Sequence, residues 1–227
     1  MLKVCAISDL HGYLPEIESC DIVFICGDFS PLKIQANDRK MRKWLLEEFK
    51  PWAENIQCDK VIFIAGNHDY IAYRDPNFMQ ENFRMDMKVV YLCDKLYTYV
   101  DDNDNIYRIY GTPWCKQFFN WPFMESDEEL NKLYLHIPDN LDFLITHDQP
   151  YGYGDIILQD IYWNTGEHIG NKILLEHVLV RQPKYMFCGH LHATDHNEVI
   201  INQTKRYNVS IKDEYYEPIY EPLYLEI

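Results

Sequence analysis

The sequence predicts an α/β fold. Five short apolar runs read as buried strands, helical periodicities lie between them, and each run is followed within a few residues by Asp, Asn or His. Strands that are apolar on both faces belong in a covered parallel or mixed sheet, and helices alternating with them supply the cover.

In chain order, the buried runs are residues 2–7, 22–26, 61–65, 141–145 and 185–188, each rich in Val, Ile or Phe and bounded by polar residues or Gly. A helix is predicted where Met41, Trp44, Leu45 and Phe49 follow an Asn37/Asp38 cap signal, and another where Ile169, Ile173, Leu174 and Val178 precede Pro183. Residues 89–92, 96–100 and 105–110 are short strand patterns with little helix between them, which predicts a second strand-rich region. Residues 195–201 and 205–211 form a predicted hairpin around Asn202-Gln203-Thr204. A last strand then puts Leu223, Leu225 and Ile227 on one side. Two packed sheets accommodate all of these. The acidic patches at 101–104 and 125–129 read as solvated turns.

A chain of 227 residues with 47% hydrophobic content can bury a full core, so one domain over 1–227 is expected. The longest apolar stretches fall far short of the roughly 20 residues of a membrane span, so no membrane partner is expected. Met1 runs directly into the first strand pattern with no apolar signal core, and a cytoplasmic location is expected. Seven cysteines without a Cys-x-x-Cys pair suit a reducing compartment, most of them as small core residues. The formal charge of −15 repels phosphate backbones, so duplex nucleic acid is not an expected partner, although bound divalent ions would make one cleft locally positive. The oligomeric state stays open.

The residues that follow the five runs carry the chemistry: Asp9 and His11, Asp28, Asn67 and His68, His147, and His190 and His192. Ligands of open α/β sheets sit at the carboxyl ends of the strands, so these distant segments are expected to meet at one edge. Two Asp, one Asn and four His form an oxygen and nitrogen donor set without thiolate, suited to Mn, Fe, Zn, Ni or Co. Seven ligands exceed one tetrahedral ion and suit two divalent ions sharing a carboxylate. Asp28, alone at its strand end, is the natural bridge. Gly27, Gly66 and Gly189, each just before a ligand, let the backbone turn and approach closely. His136, His168, His177 and His196 match no part of this pattern and read as structural.

Taken together, Asp9-x-His11, Gly27-Asp28, Gly66-Asn67-His68-Asp69, Thr146-His147 and Gly189-His190-x-His192 resemble the five blocks of the calcineurin-like metallophosphoesterases, in order over almost the whole chain. The resemblance implies a four-layer α-β-β-α sandwich of two mixed β-sheets. It also implies that Asp9, His11, Asp28 and His192 hold one metal while Asp28, Asn67, His147 and His190 hold the other, with His68 as the unliganded catalytic histidine. The implied reaction is hydrolysis of a phosphate ester by a metal-bridging hydroxide. Gly111-Thr112-Pro113-Trp114, Phe119-Asn120-Trp121 and Asn208-Val209-Ser210 are similar to the small metallophosphoesterase-domain-containing subgroup, some of whose members cleave cyclic nucleotides or model phosphodiesters. Asp148-Gln149-Pro150 departs from the Gly-Pro-Pro usual there.

A histidine has the intrinsic pKa to protonate a leaving oxygen, which suits His68, with Asp69 or Asp9 expected to orient its ring. Trp114, Phe118, Phe119, Trp121 and Phe123 crowd into ten residues. Trp114 and Phe118 are the candidates to stack a base or aryl group of the substrate; the competing reading caps the core with them. The expected function is therefore a two-metal phosphodiesterase acting on a small substrate such as a cyclic nucleotide. The alternatives are a broad phosphomonoesterase or a non-catalytic scaffold on the same fold.

Overall fold

The computed structural model describes residues 1–157 and 166–227. Its elements run β1 (Lys3–Ile7), β2 (Ile22–Cys26), α1 (Asp38–Trp44), a π-helical turn (Leu45–Phe49), α2 (Lys50–Asn55), β3 (Lys60–Ile64), α3 (Tyr70–Arg74), α4 (Pro76–Asn82) and β4 (Val89–Tyr91). They continue with β5 (Lys95–Val100), β6 (Ile106–Thr112), β7 (Cys115–Lys116), β8 (Met124–Glu125), α5 (Asp127–Tyr134), β9 (Phe143–Thr146), α6 (Lys172–Arg181), β10 (Tyr185–Cys188), β11 (Val199–Ile201), β12 (Thr204–Asn208) and β13 (Leu223–Glu226).

The five buried runs fall into two sheets rather than one. The first sheet has the order β13-β1-β2-β3-β4 and the second β11-β12-β10-β9-β6-β5. The strands β1 to β4 are mutually parallel, as are β6, β9, β10 and β12, while the outermost strands β13, β11 and β5 pair antiparallel. Alternation along the buried strands then makes the layers. Val4, Ala6, Phe24 and Ile62 point between the sheets, meeting Ile109, Phe143, Ile145 and Phe187. Cys5, Ile7, Val23, Ile25 and Phe63 point outward under α1, α2 and α4, and Leu144 and Met186 point outward under α5 and α6. The architecture is α-β-β-α. Leu223, Leu225 and Ile227 pack against the layer between the sheets, as their alternation predicts.

Helix signals were legible unevenly. The Asn37 side chain accepts from the Lys40 amide at 3.0 Å and starts α1; the predicted stripe Met41, Trp44, Leu45 and Phe49 is buried. Pro51 enters the first turn of α2. Its ring and missing N–H disfavour a regular α-turn before it, and the wider π turn ahead of it relieves that conflict. The second predicted helix begins later than expected, because Asn171 caps α6 through the Leu174 amide and leaves Ile169 outside. Gln182, at φ 45, ends it just before Pro183. The patch at 125–129 is corrected: Ser126 caps α5, and Asp127, Glu128 and Glu129 occupy its first turn, where carboxylates oppose the helix dipole.

Candidate metal centre

Every residue of the predicted set lies just beyond the carboxyl end of a parallel strand: Asp9 and His11 after β1, Asp28 after β2, Asn67 and His68 after β3, His147 after β9, His190 and His192 after β10. The strand ends of the two sheets meet here. A parallel bridge joins Ser8 to Ser210, the Ile211 amide donates to the Ser8 carbonyl at 3.1 Å, and the Ser210 hydroxyl donates to the Asp9 carboxylate.

The backbone turns sharply to present these side chains. Asp9, His11, Asp28 and His190 all adopt positive φ (57°, 44°, 52° and 68°), a region that costs a non-glycine residue of the order of 1–2 kcal/mol. Specific hydrogen bonds hold them there. The Asp9 amide donates to Gly27 O at 3.1 Å, the His11 amide to Asp28 O at 2.9 Å and the His190 amide to Asp9 Oδ2 at 3.0 Å. A side chain at Gly66 would put its Cβ 2.3 Å from Asp28 Oδ1 and 2.5 Å from His147 Nε2, and one at Gly189 would stand 2.0 Å from Ser8 Oγ. Only glycine permits the approach.

The Asp28 carboxylate is central. Its Oδ2 lies 3.4 Å from His147 Nε2, 3.8 Å from His11 Nε2 and 3.9 Å from His68 Nε2, while Oδ1 accepts from the His68 amide at 2.8 Å. His147 Nε2 is 3.1 Å from Asn67 Oδ1, and His192 Nε2 is 3.1 Å from Asp9 Oδ1. Backbone carbonyls select the tautomers: His147 Nδ1 lies 2.8 Å from Cys26 O and His192 Nδ1 lies 2.8 Å from Asp213 O, which turns each Nε2 into the site. Donor atoms within 4.8 Å of one another occur in Asp9, His11 and His192, in Asp9, Asp28 and His147, and in Cys115, His147 and His190.

The charges are strongly perturbed. Burial lowers His11 to about 3 and His190 to about 4, neutral rings suited to donate a lone pair. Burial opposes charge on His147 as well, but the Asp28 and Asp9 carboxylates outweigh it and raise His147 to about 10. His192 is raised in the same way, by Asp9 against burial. Burial likewise disfavours the ionised Asp9 and Asp28, and the surrounding imidazoles overcome it, His192 foremost for Asp9 and His147 for Asp28. Burial lowers His68.

His11 supplies a direct test of the metal expectation: it is buried, and neither ring nitrogen has a hydrogen-bond partner. Orphaned buried nitrogens are costly unless an electrophile completes them. The donor set fits divalent metal ions.

Several residues of the site were not legible beforehand. Gln35, not Asp69 or Asp9, meets the His68 ring, with Nδ1 2.7 Å from Gln35 Oε1. Asp69 instead ties the loops together, accepting from the Gly66, Asp28 and Ser30 amides at 2.8, 2.9 and 3.0 Å. Burial, with the Asp28 charge adding to it, raises Asp69 to about 7 against those donors. Gln149, in the departing Asp148-Gln149-Pro150 string, donates to Gly189 O at 2.8 Å and Leu191 O at 3.3 Å and so braces the His190–His192 loop. Its Oε1 accepts from the fully buried Arg206.

The predicted aromatic stretch divides. Trp114 donates its indole N–H to Asp94 Oδ2 at 2.7 Å and packs its ring edge-to-face on Phe123, so its contacts are those of a core residue. Phe118 faces His190 with ring centroids 5.7 Å apart. Trp121, from the same predicted stretch, stands 4.5 Å from His68. Opposite them, Tyr216 from the C-terminal segment lies edge-on to His11 at 4.8 Å and His192 at 5.5 Å. The other four histidines are engaged elsewhere: His177 with Asn131 at 2.9 Å, His168 with Asp155 at 2.6 Å, His136 with Leu133 O, and His196 stacked 3.7 Å from Tyr220.

An α-β-β-α sandwich that gathers Asp, Asn and His from five strand ends into one cluster of possible metal donors defines a class of metal-binding α/β proteins, and the comparison with known proteins narrows it. The family model of the calcineurin-like phosphoesterases matches residues 2–194, and the chain belongs to that family. Metallophosphoesterase domain-containing protein 1 of Homo sapiens is 27% identical over 246 residues, covering 99% of this chain and 70% of its own. The UPF0046 protein T07D4.2 of Caenorhabditis elegans is 33% identical over 197 residues, covering 76% of this chain and 46% of its own. Among solved structures, TT1561 of Thermus thermophilus aligns with TM-score 0.59 at 10% identity, over 91% of this chain and 88% of that one. Phosphopantetheinyl hydrolase of Mycobacterium tuberculosis aligns with TM-score 0.55 at 15% identity, over 94% and 90%. These structural likenesses show the fold. No helix among the described residues is long and apolar enough to cross a membrane.

Proposed function

We propose that the chain is a two-metal phosphoesterase whose preferred substrate is a small phosphodiester, such as a cyclic nucleotide. The observation that carries this reading is the clustering of donors around the two buried carboxylates: Asp28 Oδ2 lies 3.4 and 3.8 Å from the Nε2 atoms of His147 and His11, and Asp9 groups both with His11 and His192 and with Asp28 and His147. Asp9, His11, Asp28 and His192 would hold one ion, and Asp28, Asn67, His147 and His190 the other. When bound, such a pair neutralises charge on the nonbridging phosphate oxygens and acidifies water enough to attack phosphorus near neutral pH.

The protein's own groups do the rest. Gln35 Oε1 takes the His68 Nδ1 proton in a hydrogen bond and so leaves Nε2 facing the carboxylate side of the site. In its cationic form His68 donates the Nε2 proton to the departing oxygen. Asp69 and Gln149 hold the loops that carry Asp28, Asn67 and His190. Phe118, Trp121 and Tyr216 form an aromatic rim that suits a base or aryl group, and they exclude water beside the ester.

The test uses metal-free protein reconstituted with Mn²⁺, Zn²⁺ or Ni²⁺ and assayed on bis(p-nitrophenyl) phosphate beside p-nitrophenyl phosphate. Metal-dependent turnover favouring the diester is expected. Asp28→Ala should lose both metal and activity, whereas His68→Ala should keep its metals and lose about 10²–10⁴-fold in kcat. A preference for the monoester would turn the reading to a phosphomonoesterase, and no turnover with any metal would turn it to a scaffold.

A further inference from the structure

The donor set read from the sequence lacks sulfur, and the fold supplies one. Cys115 follows β6, the parallel neighbour of β9, so it emerges at the same edge as His147. It is fully buried, and its Sγ lies with a ring nitrogen of His147 and one of His190 inside a common 4.8 Å. Its position is built rather than incidental. The Cys115 amide donates to Phe123 O at 2.7 Å, Cys115 pairs with Met124 across β7 and β8, and Pro113 O, 3.5 Å from Sγ, accepts its S–H. His147 is held beside it, since its Nδ1 is tied to Cys26 O at 2.8 Å.

Bonds of about 2.0–2.3 Å to nitrogen and sulfur hold neighbouring donors roughly 3–4 Å apart, so a spread of at most 4.8 Å has about 1 Å to close. We propose that Cys115 adds a sulfur ligand to the metal position formed by Asp28, Asn67, His147 and His190, so that this position takes a thiophilic divalent ion. The proposal rests on the two-metal reading above. On binding, the S–H bond breaks, an S–metal bond forms, and the proton leaves to solvent. Thiolate and imidazole together favour Zn²⁺ and Co²⁺ over Mn²⁺, whose preference is for oxygen. The two positions would then differ, the one around Asp9, His11 and His192 having no sulfur within the same reach among the described residues.

The test reads the metal rather than the reaction. Protein reconstituted with Co²⁺ is examined by absorption spectroscopy beside Cys115→Ser and Cys115→Ala, with far-ultraviolet circular dichroism to verify folding of each. The wild type should show a near-ultraviolet thiolate-to-cobalt charge-transfer band that both variants lack, while visible ligand-field bands remain in all three. Zn²⁺ should bind the variants about tenfold or more weaker, with Mn²⁺ affinity changed less than about twofold. Cobalt uptake with ligand-field bands but no charge-transfer band, or with a band that survives both substitutions, overturns the role of Cys115 and leaves the two-metal reading standing. Failure to take up cobalt at all overturns both. If both variants fail to fold, the wild-type band and its loss on titrating Zn²⁺ against Co²⁺ still decide between sulfur and non-sulfur ligation.

Discussion

His147 enters this site carrying a proton that a metal must displace. Asp28 and Asp9 raise it to about 10, so the His147 ring is cationic at neutral pH before an ion binds, and Asp9 shifts His192 in the same direction. Their charge stabilises the metal-free fold below the ordinary histidine pKa and is lost as pH climbs through the raised value. Metal ions compete with those protons, so apparent affinity rises with pH across the neutral range, and binding releases roughly one to two protons from these rings beside the one given up by the Cys115 thiol. Calorimetric titration of metal-free protein with Zn²⁺ in two buffers of different ionisation enthalpy should return that number. Release of no more than the thiol's proton would mean that the two rings are already neutral. His11 and His190, lowered by burial, contribute no proton. Among the site residues, the Asp, Asn and His at the strand ends were readable from type and spacing. Gln35, Cys115 and Tyr216 were not, because Gln, Cys and Tyr are common in cores and on surfaces and nothing adjacent marks them.

At the scale of the element, caps and glycines do the positioning. Asn37 satisfies the Lys40 amide at the start of a helix that continues through a π turn into α2 and covers the outer face of the first sheet. Removing that cap by Asn37→Ala should cost about 1 kcal/mol, measured by urea denaturation with an unchanged slope. Because α1 and α2 lie behind the sheet, metal affinity should change little. A larger loss of affinity than of stability would mean that the helix start tensions the Gln35 segment just before it. The helix stripe at Met41 to Phe49 was legible because period 3.6 survives a π turn over so short a span. α5 reads as a turn from its acidic start, although Ser126 three residues before Glu129 is a capping signal. The predicted hairpin near the C-terminus is real but shorter, limited to Val199–Ile201 against Thr204–Asn208.

Across the whole molecule, the site is the seam between two sheets. Asp9, His11, Asp28 and Asn67 come from the first sheet, while His147, His190 and His192 come from the second. Ions held by both sets would therefore stabilise the joined structure. At free metal about 100-fold above its dissociation constant, linkage adds about 2.7 kcal/mol. Stripping metal with a chelator should lower the thermal midpoint of the wild type and leave Asp28→Ala unmoved. Equal shifts in both would place the effect outside this centre. The formal charge of −15 adds a general attraction for divalent cations, which makes that mutant control necessary.

By itself, the sequence determined the α/β class, the chain order of the buried strands and which Asp, Asn and His residues follow them. Those depend on short-range signals: apolar runs of strand length, glycine where a turn must be tight, and Asp, Asn or His where a metal demands hard or borderline donors. Only the tertiary structure decided how five runs divide between two sheets, since a buried strand has the same apolar pattern in either. It alone brought Gln35 to His68, the Asp213 carbonyl to His192 and Cys115 to His147. Such contacts join segments far apart in the chain through residue types that fit many environments, and what selects the partner is the packing of the two layers.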